Sequence, residues 1–371
     1  MIAVVHAYSR VNAGDGLLVD LTLQRLARAG IGVEDCTVVA MDPASFADLP
    51  SVVKLGTAGR ALDRETAVAA ARGLGVAGEA IHPRAALGAA ARTFAAADGF
   101  VSVGGGYLRA GNRVNAVGTA INHLPQLLAV ARSKRPSIYL PQSVGPLAGP
   151  VGRAVRATLR RVDQVHVRDD RSVAELGGAA NVHRTPDLAV LDVADQLADL
   201  RPRDASGVPI IVARALGDAD EYADRLHALA RRLDKVSWGV QAEGSVAKSD
   251  RTFYQALGVT PDGRVGELLA GTPGPVVSVR LHGALQSIIA GVPAVHLGYE
   301  RKSWGAYEDL GVAEWVHSAR RFDPEAVADQ VRALQADPEP FWKAIRAKGQ
   351  YLQDASATLD EQLAAVLKGG G

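Results

Sequence analysis

Short runs of β-branched and aliphatic residues punctuate this chain, and helical composition follows each of them. The runs are IAVVH from Ile2, CTVVAM from Cys36, GFVSVG from Gly99, SIYLP from Ser137 and QVHVR from Gln164. PIIVAR from Pro209, VSWGVQ from Val236, VVSVR from Val276 and PAVHLG from Pro293 come later. Between them lie Ala-, Leu- and Arg-rich segments such as DLTLQRLARAG and YADRLHALARRLDK. Branching at Cβ stiffens a residue toward strand, whereas straight side chains favour helix. The alternation predicts an α/β fold with parallel sheets covered by helices on both faces. In such doubly wound sheets, ligands bind just beyond the carboxyl ends of the strands. The residues after each run are therefore the ones to read for chemistry.

The alternation breaks at DQLADLRPRDASGVP, Asp195 to Pro209, where charge, proline, serine and glycine gather before a fresh strand. Such a stretch reads as a connection, and 371 residues suffice for two domains. We expect one Rossmann-like, doubly wound domain over 1–195 and a second over 208–340, facing each other across a cleft. The remaining 341–371 should be helical and pack back on the first. Apolar residues make up 48% and charged residues 22% of the chain, which marks it as globular rather than disordered. A formal net charge of +1 supplies no global field toward nucleic acid or anionic lipid, so any cationic site must be local. Cys36 is the sole cysteine, so neither an intrachain disulfide nor a cysteine metal cluster can form. MIAVVHAYSR reads as a first strand, not a signal peptide. No run of about 18 apolar residues is present to span a membrane. A cytoplasmic protein is the expectation.

Polar residues gather after the strands. Asn12, Gly14, Asp15 and Gly16 follow the first run. Glycines there admit a ligand close to the backbone, while Asn and Asp serve equally well as helix caps. Gly104, Gly105 and Gly106 stand at what reads as a strand–helix junction. Backbone amides at such a junction can cradle an anion, and a plain tight turn is the alternative. The glycines do not make a dinucleotide fingerprint. Arg109 stands where a small residue is needed, and Asn112 and Asn115 follow in place of an acidic ribose partner. Gln142 follows the fourth run. Arg168 ends the fifth, ahead of Asp169, Asp170 and Ser172, and an ordinary ion pair with those acids is the alternative to a ligand contact.

VVSVRLHG resists a purely structural reading. Arg280 and His282 end a run of apolar residues, and burying an unpaired arginine is costly. If the strand continues that far, residues two apart face the same way. A histidine satisfied by backbone is the alternative for His282. Lys302 follows the last run. No H-E-x-x-H, G-x-S-x-G or Walker A pattern occurs, so a metal site or a nucleophile elbow is not indicated. Arg168, Arg280 and Lys302 all follow strands and are expected to share one cleft. Three cations with an imidazole, the side chain that titrates nearest neutrality, suit a small, multiply charged anion and a proton carrier. Residue chemistry alone reaches an anion-handling transferase or hydrolase.

Taken together, these segments resemble the polysaccharide pyruvyl transferase family. The resemblance is carried by NAGDGLL, VSVGGGYL, LPQSVGPL, VHVRDDRSVAELG, TPDLAV, VSVRLHGALQSIIAGVP and YERKSWGAYEDLGV, in the family's order from about Asn12 to Gly311. The sequence departs at Gly16-Leu17, where many relatives carry an acidic and a small residue. The resemblance implies two Rossmann-like domains in a GT-B-like arrangement, the first on the acceptor side and the second binding the donor. It implies transfer of pyruvyl from phosphoenolpyruvate to a sugar of a cell-surface glycan precursor, forming a cyclic ketal. The family's essential arginine falls on Arg168, its R-L-H motif on Arg280 and His282, and its lysine on Lys302.

That chemistry suits the residues. Phosphoenolpyruvate carries a carboxylate and a phosphate, which arginine grips bidentately and lysine as a point charge. The expected donor-binding set is Arg168, Arg280, His282, Lys302, Gly105 and Gly106. His282 is the candidate acid toward the methylene carbon. Asn12, Asp15 and Gln142 are expected at the acceptor, with Asp15 also a catalytic candidate to bind or deprotonate an acceptor hydroxyl. The reaction demands no redox cofactor or metal. Two other classes stay open: a GT-B glycosyltransferase with a nucleotide sugar, for which only Glu300 offers an acidic ribose clamp, and a non-catalytic sugar- or anion-binding protein.

Overall fold

The runs form strands because their side chains are buried on both faces, as helix-covered parallel strands require; all six residues of Ile2–Ala7 are buried. The computed structural model describes residues 1–56, 87–217, 220–242, 249–299 and 301–369. The first sheet holds β1 (Ile2–Ala7), β2 (Cys36–Ala40), β3 (Val52–Lys54), β4 (Gly99–Ser102), β5 (Gly105–Ala110), β6 (Ser137–Leu147), β7 (Gln164–Val167) and β8 (Val182–Arg184). Its order is β3-β2-β1-β4-β6-β7-β8, with β5 also paired to β6. The second holds β9 (Val208–Val212), β10 (Ser237–Val240), β11 (Gly263–Arg264), β12 (Pro273–Ser278), β13 (Ala294–Gly298) and β14 (Val316–Ser318), in the order β11-β10-β9-β12-β13-β14. Among the described residues every strand ladder is parallel. Strand order reverses between β1 and β4 and between β9 and β12, and those switch points are where doubly wound sheets open a crevice.

Around the first sheet lie α1 (Ala13–Arg28), α2 (Ala90–Ala96), α3 (Arg113–Asn122), α4 (Leu124–Ser133), α5 (Gly149–Leu159) and α6 (Asp170–Glu175), and α7 (Leu188–Gln196) follows where the chain passes to the second unit. With the second go α8 (Asp220–Arg232), α9 (Asp250–Leu257), α10 (Val265–Ala270), α11 (Leu281–Ile289), α12 (Arg301–Asp309), α13 (Pro324–Ala336) and α14 (Glu339–Lys368). No described helix is long and apolar enough to cross a membrane.

The chain divides into two compact units. The first comprises Met1–Arg10, Asp15–Leu188 and Ala357–Gly371; the second comprises Val11–Gly14 and Ala189–Ser356. The first unit thus closes ahead of the polar stretch Asp195–Pro209. The long helix α14 belongs to the second unit through Ser356, whose hydroxyl donates to Asp195 at 2.5 Å. From Ala357 it belongs to the first, where Asp360 accepts from Arg25 at 2.9 Å and Arg28 at 3.4 Å.

Candidate active site

In the second unit, β12 ends at Ser278, two residues before Arg280. The Ser278 hydroxyl turns the chain: it accepts from the Arg280 N–H at 3.2 Å and donates to the Arg280 carbonyl at 2.7 Å. Arg280 is extended, with φ −96 and ψ 119, and directly precedes α11. His282 is the second residue of that helix. The expectation that Arg280 and His282 lie in one extended segment is therefore corrected. Leu281, Ala284, Leu285 and Ile288 are buried at helical spacing, and that stripe starts the helix before His282 is reached.

Arg280 is buried and paired. Its Nη2 donates to Asp250 Oδ1 at 2.5 Å, and its Nε lies 3.2 Å from both carboxylate oxygens. Asp250, which opens α9, also accepts from the backbone N–H of Gln241 at 3.1 Å and of Ala242 at 2.8 Å. A buried carboxylate is tolerable when it is paired and its lone pairs are filled, and four donors fill this one. The first crossover is tied to the same place. Asn12 forms an antiparallel bridge with Ala242, and its Oδ1 accepts from Gly14 N at 3.3 Å. Gly14 lies directly on the imidazole, since a methyl group there would fall 2.4 Å from His282 Nδ1. Asn12, Gly14, Asp250, Arg280 and His282 thus form one contiguous cluster.

A further cation, Arg214, follows β9, the strand next to β12. It donates from Nη1 to the Tyr299 hydroxyl at 2.9 Å and lies 5.4 Å above that ring. Lys302 is in the first turn of α12; its side chain, like all of Glu300, lies outside the described residues. Asp250 and Arg214 were not singled out from the sequence. Asp250 lies far along the chain from Arg280, and Arg214 could have been found as a cation ending the PIIVAR run.

The first unit gathers a different set. Gly105, at φ +144, occupies backbone space open to glycine, and a methyl group on Gly104 would fall 2.8 Å from the Pro141 carbonyl. The chain can therefore turn after β4 and re-pair with β6. The glycines join two strands; the expected strand–helix junction is corrected, because α3 begins only at Arg113, capped by Asn112 Oδ1. Arg168 follows β7. Its Nη1 donates to buried Asp187 and its Nε to the Ser143 hydroxyl at 3.0 Å. Its acidic partner is thus Asp187. Adjacent Asp169 instead caps α6, accepting from Ser172 N at 2.9 Å. Gln142, fully buried in β6, has no hydrogen-bond partner for its Oε1 or Nε2 among the described residues. Asp15 lies in the first turn of α1.

Two histidines that stand apart in sequence meet at the carboxyl end of β1. His6, at φ +68, has Nδ1 3.3 Å from His123 Nδ1 and Nε2 2.9 Å from the Tyr139 hydroxyl, and its N–H donates to Gln126 Oε1 at 3.0 Å. Burial, and after it the neighbouring His123, hold the His6 pKa well below its ordinary value. Burial takes His123 down to about 3.

Comparison with known proteins agrees with this anatomy. The family model described as "Polysaccharide pyruvyl transferase" matches residues 12–257. The match takes in Asn12, Asp15, Gly105, Gly106, Gln142, Arg168 and Asp250, and ends before Arg280, His282 and Lys302. No curated protein sequence matches the chain. Among solved structures, UDP-GlcNAc 2-epimerase from Methanocaldococcus jannaschii superposes with a TM-score of 0.53 at 9% identity, over 97% of this chain and 99% of that one. Anabaena Alr3699/HepE, solved with UDP and glucose, gives 0.54 at 12% identity over 99% of each chain. Phytolacca americana UGT2 gives 0.51 at 12% identity over 98% of each. These likenesses show the fold class, two Rossmann-like α/β units as in GT-B proteins.

Proposed function

The chain belongs to the polysaccharide pyruvyl transferase family, and on that premise we propose that it moves pyruvyl from phosphoenolpyruvate onto two hydroxyls of a sugar in a cell-envelope polysaccharide or glycolipid precursor. The products are a cyclic pyruvate ketal and phosphate. The observation that carries the reading is the cluster in which Asp250 fixes Arg280 while Gly14 leaves room for His282.

In this reading His282 protonates the methylene carbon, making C2 electrophilic. One sugar hydroxyl adds to C2, phosphate leaves, and the second hydroxyl closes the ketal. Of the two hydroxyl protons released, one restores His282 and the other leaves on phosphate. Arg168, Arg280 and Lys302 hold the carboxylate and phosphate of the donor, with Gly105 and Gly106 admitting it close to the backbone. Asp250 and Asp187 orient the two arginines. Each guanidinium has five N–H donors, so a carboxylate partner leaves donors for the substrate. The buried Gln142 amide, Asn12 and Asp15 serve the acceptor, whose hydroxyls need both donors and acceptors. The enzyme acts in the cytoplasm, with at most peripheral contact with a membrane bearing a lipid-linked acceptor.

Incubation with phosphoenolpyruvate and a panel of glycosides tests this. The expected result is phosphate release together with a product whose mass gain equals pyruvate minus water. Release of nucleotide from a nucleotide sugar, with phosphoenolpyruvate untouched, would replace the reading with glycosyl transfer.

A further inference from the structure

Arg109 is the residue that spoils a dinucleotide fingerprint, and its position in the first unit gives it another use. We propose that Arg109 and Arg168 form a two-guanidinium clamp over Gly106 that takes one oxyanion group, phosphate or carboxylate, of a small substrate. A methyl group on Gly106 would meet Arg109 Nη2 at 3.1 Å and Arg168 Nη2 at 3.5 Å. Both nitrogens therefore converge on one point, close enough for a single oxyanion to bridge them.

The edge that Arg168 presents there is the one its partners leave open. Nε is committed to Ser143 and Nη1 to Asp187, so the Nη2 donors face Gly106. The Arg109 backbone is braced on both sides of its Cα. Its N–H donates to Thr119 Oγ1 at 3.1 Å, and the same hydroxyl donates to its carbonyl at 2.5 Å. Thr119 is buried in α3, so the base of the Arg109 side chain is fixed. A guanidinium that holds one partner keeps further N–H donors, so an anion at that place can accept charge-assisted hydrogen bonds from both groups at once. Any side chain at position 106 would occupy the bridging point, which explains a glycine at a strand position whose backbone angles do not require one.

The identity of the ligand rests on the phosphoenolpyruvate reading; the clamp itself does not. Calorimetric titration of the intact protein with phosphoenolpyruvate, inorganic phosphate and pyruvate separates the two, and shows which group of the donor is held. Arg109→Ala should weaken phosphoenolpyruvate binding by about 10- to 100-fold. Arg109→Lys, which keeps the charge without the fork, should recover only part of it. Gly106→Ala should weaken binding without removing a charge. Circular dichroism of each variant checks the fold, and the lysine variant decides the matter if the alanine variants fold poorly. If the wild type binds phosphoenolpyruvate and all three variants bind it equally well, the clamp is overturned and the functional reading stands. If the wild type binds inorganic phosphate but not phosphoenolpyruvate, and Arg109→Ala abolishes that binding, the clamp stands and the donor reading falls. If the wild type binds none of the three anions, both fall.

Discussion

Asp250 holds Arg280 from the far side of the β12–α11 turn, with its carboxylate fully buried and Arg280 Nη2 at 2.5 Å. The same carboxylate accepts the backbone N–H groups of Gln241 and Ala242, so it also fixes the end of β10. Acid and base are thus a structural unit before they touch any substrate.

Breaking that unit from either side should be costly. Removing one member of a buried pair typically destabilises by about 3–5 kcal/mol. Arg280→Met or Asp250→Ala should lower the urea midpoint accordingly. The double variant Arg280→Met/Asp250→Asn leaves no unpaired charge and should regain most of the stability, yet remain unable to release phosphate from phosphoenolpyruvate. Full turnover in the double variant would show that Arg280 serves the fold alone.

His282 is separable from Arg280 by the same assay. General acid–base catalysis typically supplies about 10²–10⁴-fold. His282→Asn should reduce turnover by that order while donor affinity is retained. Weaker binding with normal turnover at saturating donor would reassign the residue to donor recognition.

Gly14→Ala makes a sharper test because it removes no reactive group. Inside a helix, alanine in place of glycine usually stabilises by about 0.5–1 kcal/mol. Here the added methyl would fall 2.4 Å from His282 Nδ1, so the imidazole must move. A displacement on the scale of 1 Å costs about 10²-fold in rate. The variant should keep its melting temperature and lose activity; unchanged turnover would mean that His282 is not needed where it stands.

Acid should destabilise the first unit before carboxylates titrate. Burial lowers the pKa of His6, His123 and His166, the last two to about 3. In the unfolded chain each returns to about 6.5. Below that value the unfolded state binds more protons, so the stability these groups contribute is complete above about pH 6.5 and lost as pH falls toward about 3. Urea midpoints measured from about pH 7 down to about pH 5 should fall steadily. His123→Phe should make the slope shallower, and a pH-independent midpoint would contradict the neutral His6–His123 pair.

Strand–helix alternation and the positions of polar residues after strands were legible from local chemistry, because burial on both faces leaves near-continuous β-branched runs. The strands that escaped notice were β3, β8, β11 and β14, each at a sheet edge and none longer than three residues, too short for a pattern. β5 was hidden by its glycines and Arg109. Motif order alone identified the family, and the residues Arg168, Arg280 and His282 were readable as unusual because polar groups rarely end buried runs. Their partners were not readable. Asp187 lies 19 positions from Arg168 and Asp250 lies 30 from Arg280, and Asn12 reaches Ala242 only after the first crossover joins the second unit. Periodicity reports which face of an element is buried. Which acid neutralises which arginine, and which glycine makes room for which ring, depends on contacts that exist only once the sheets have paired.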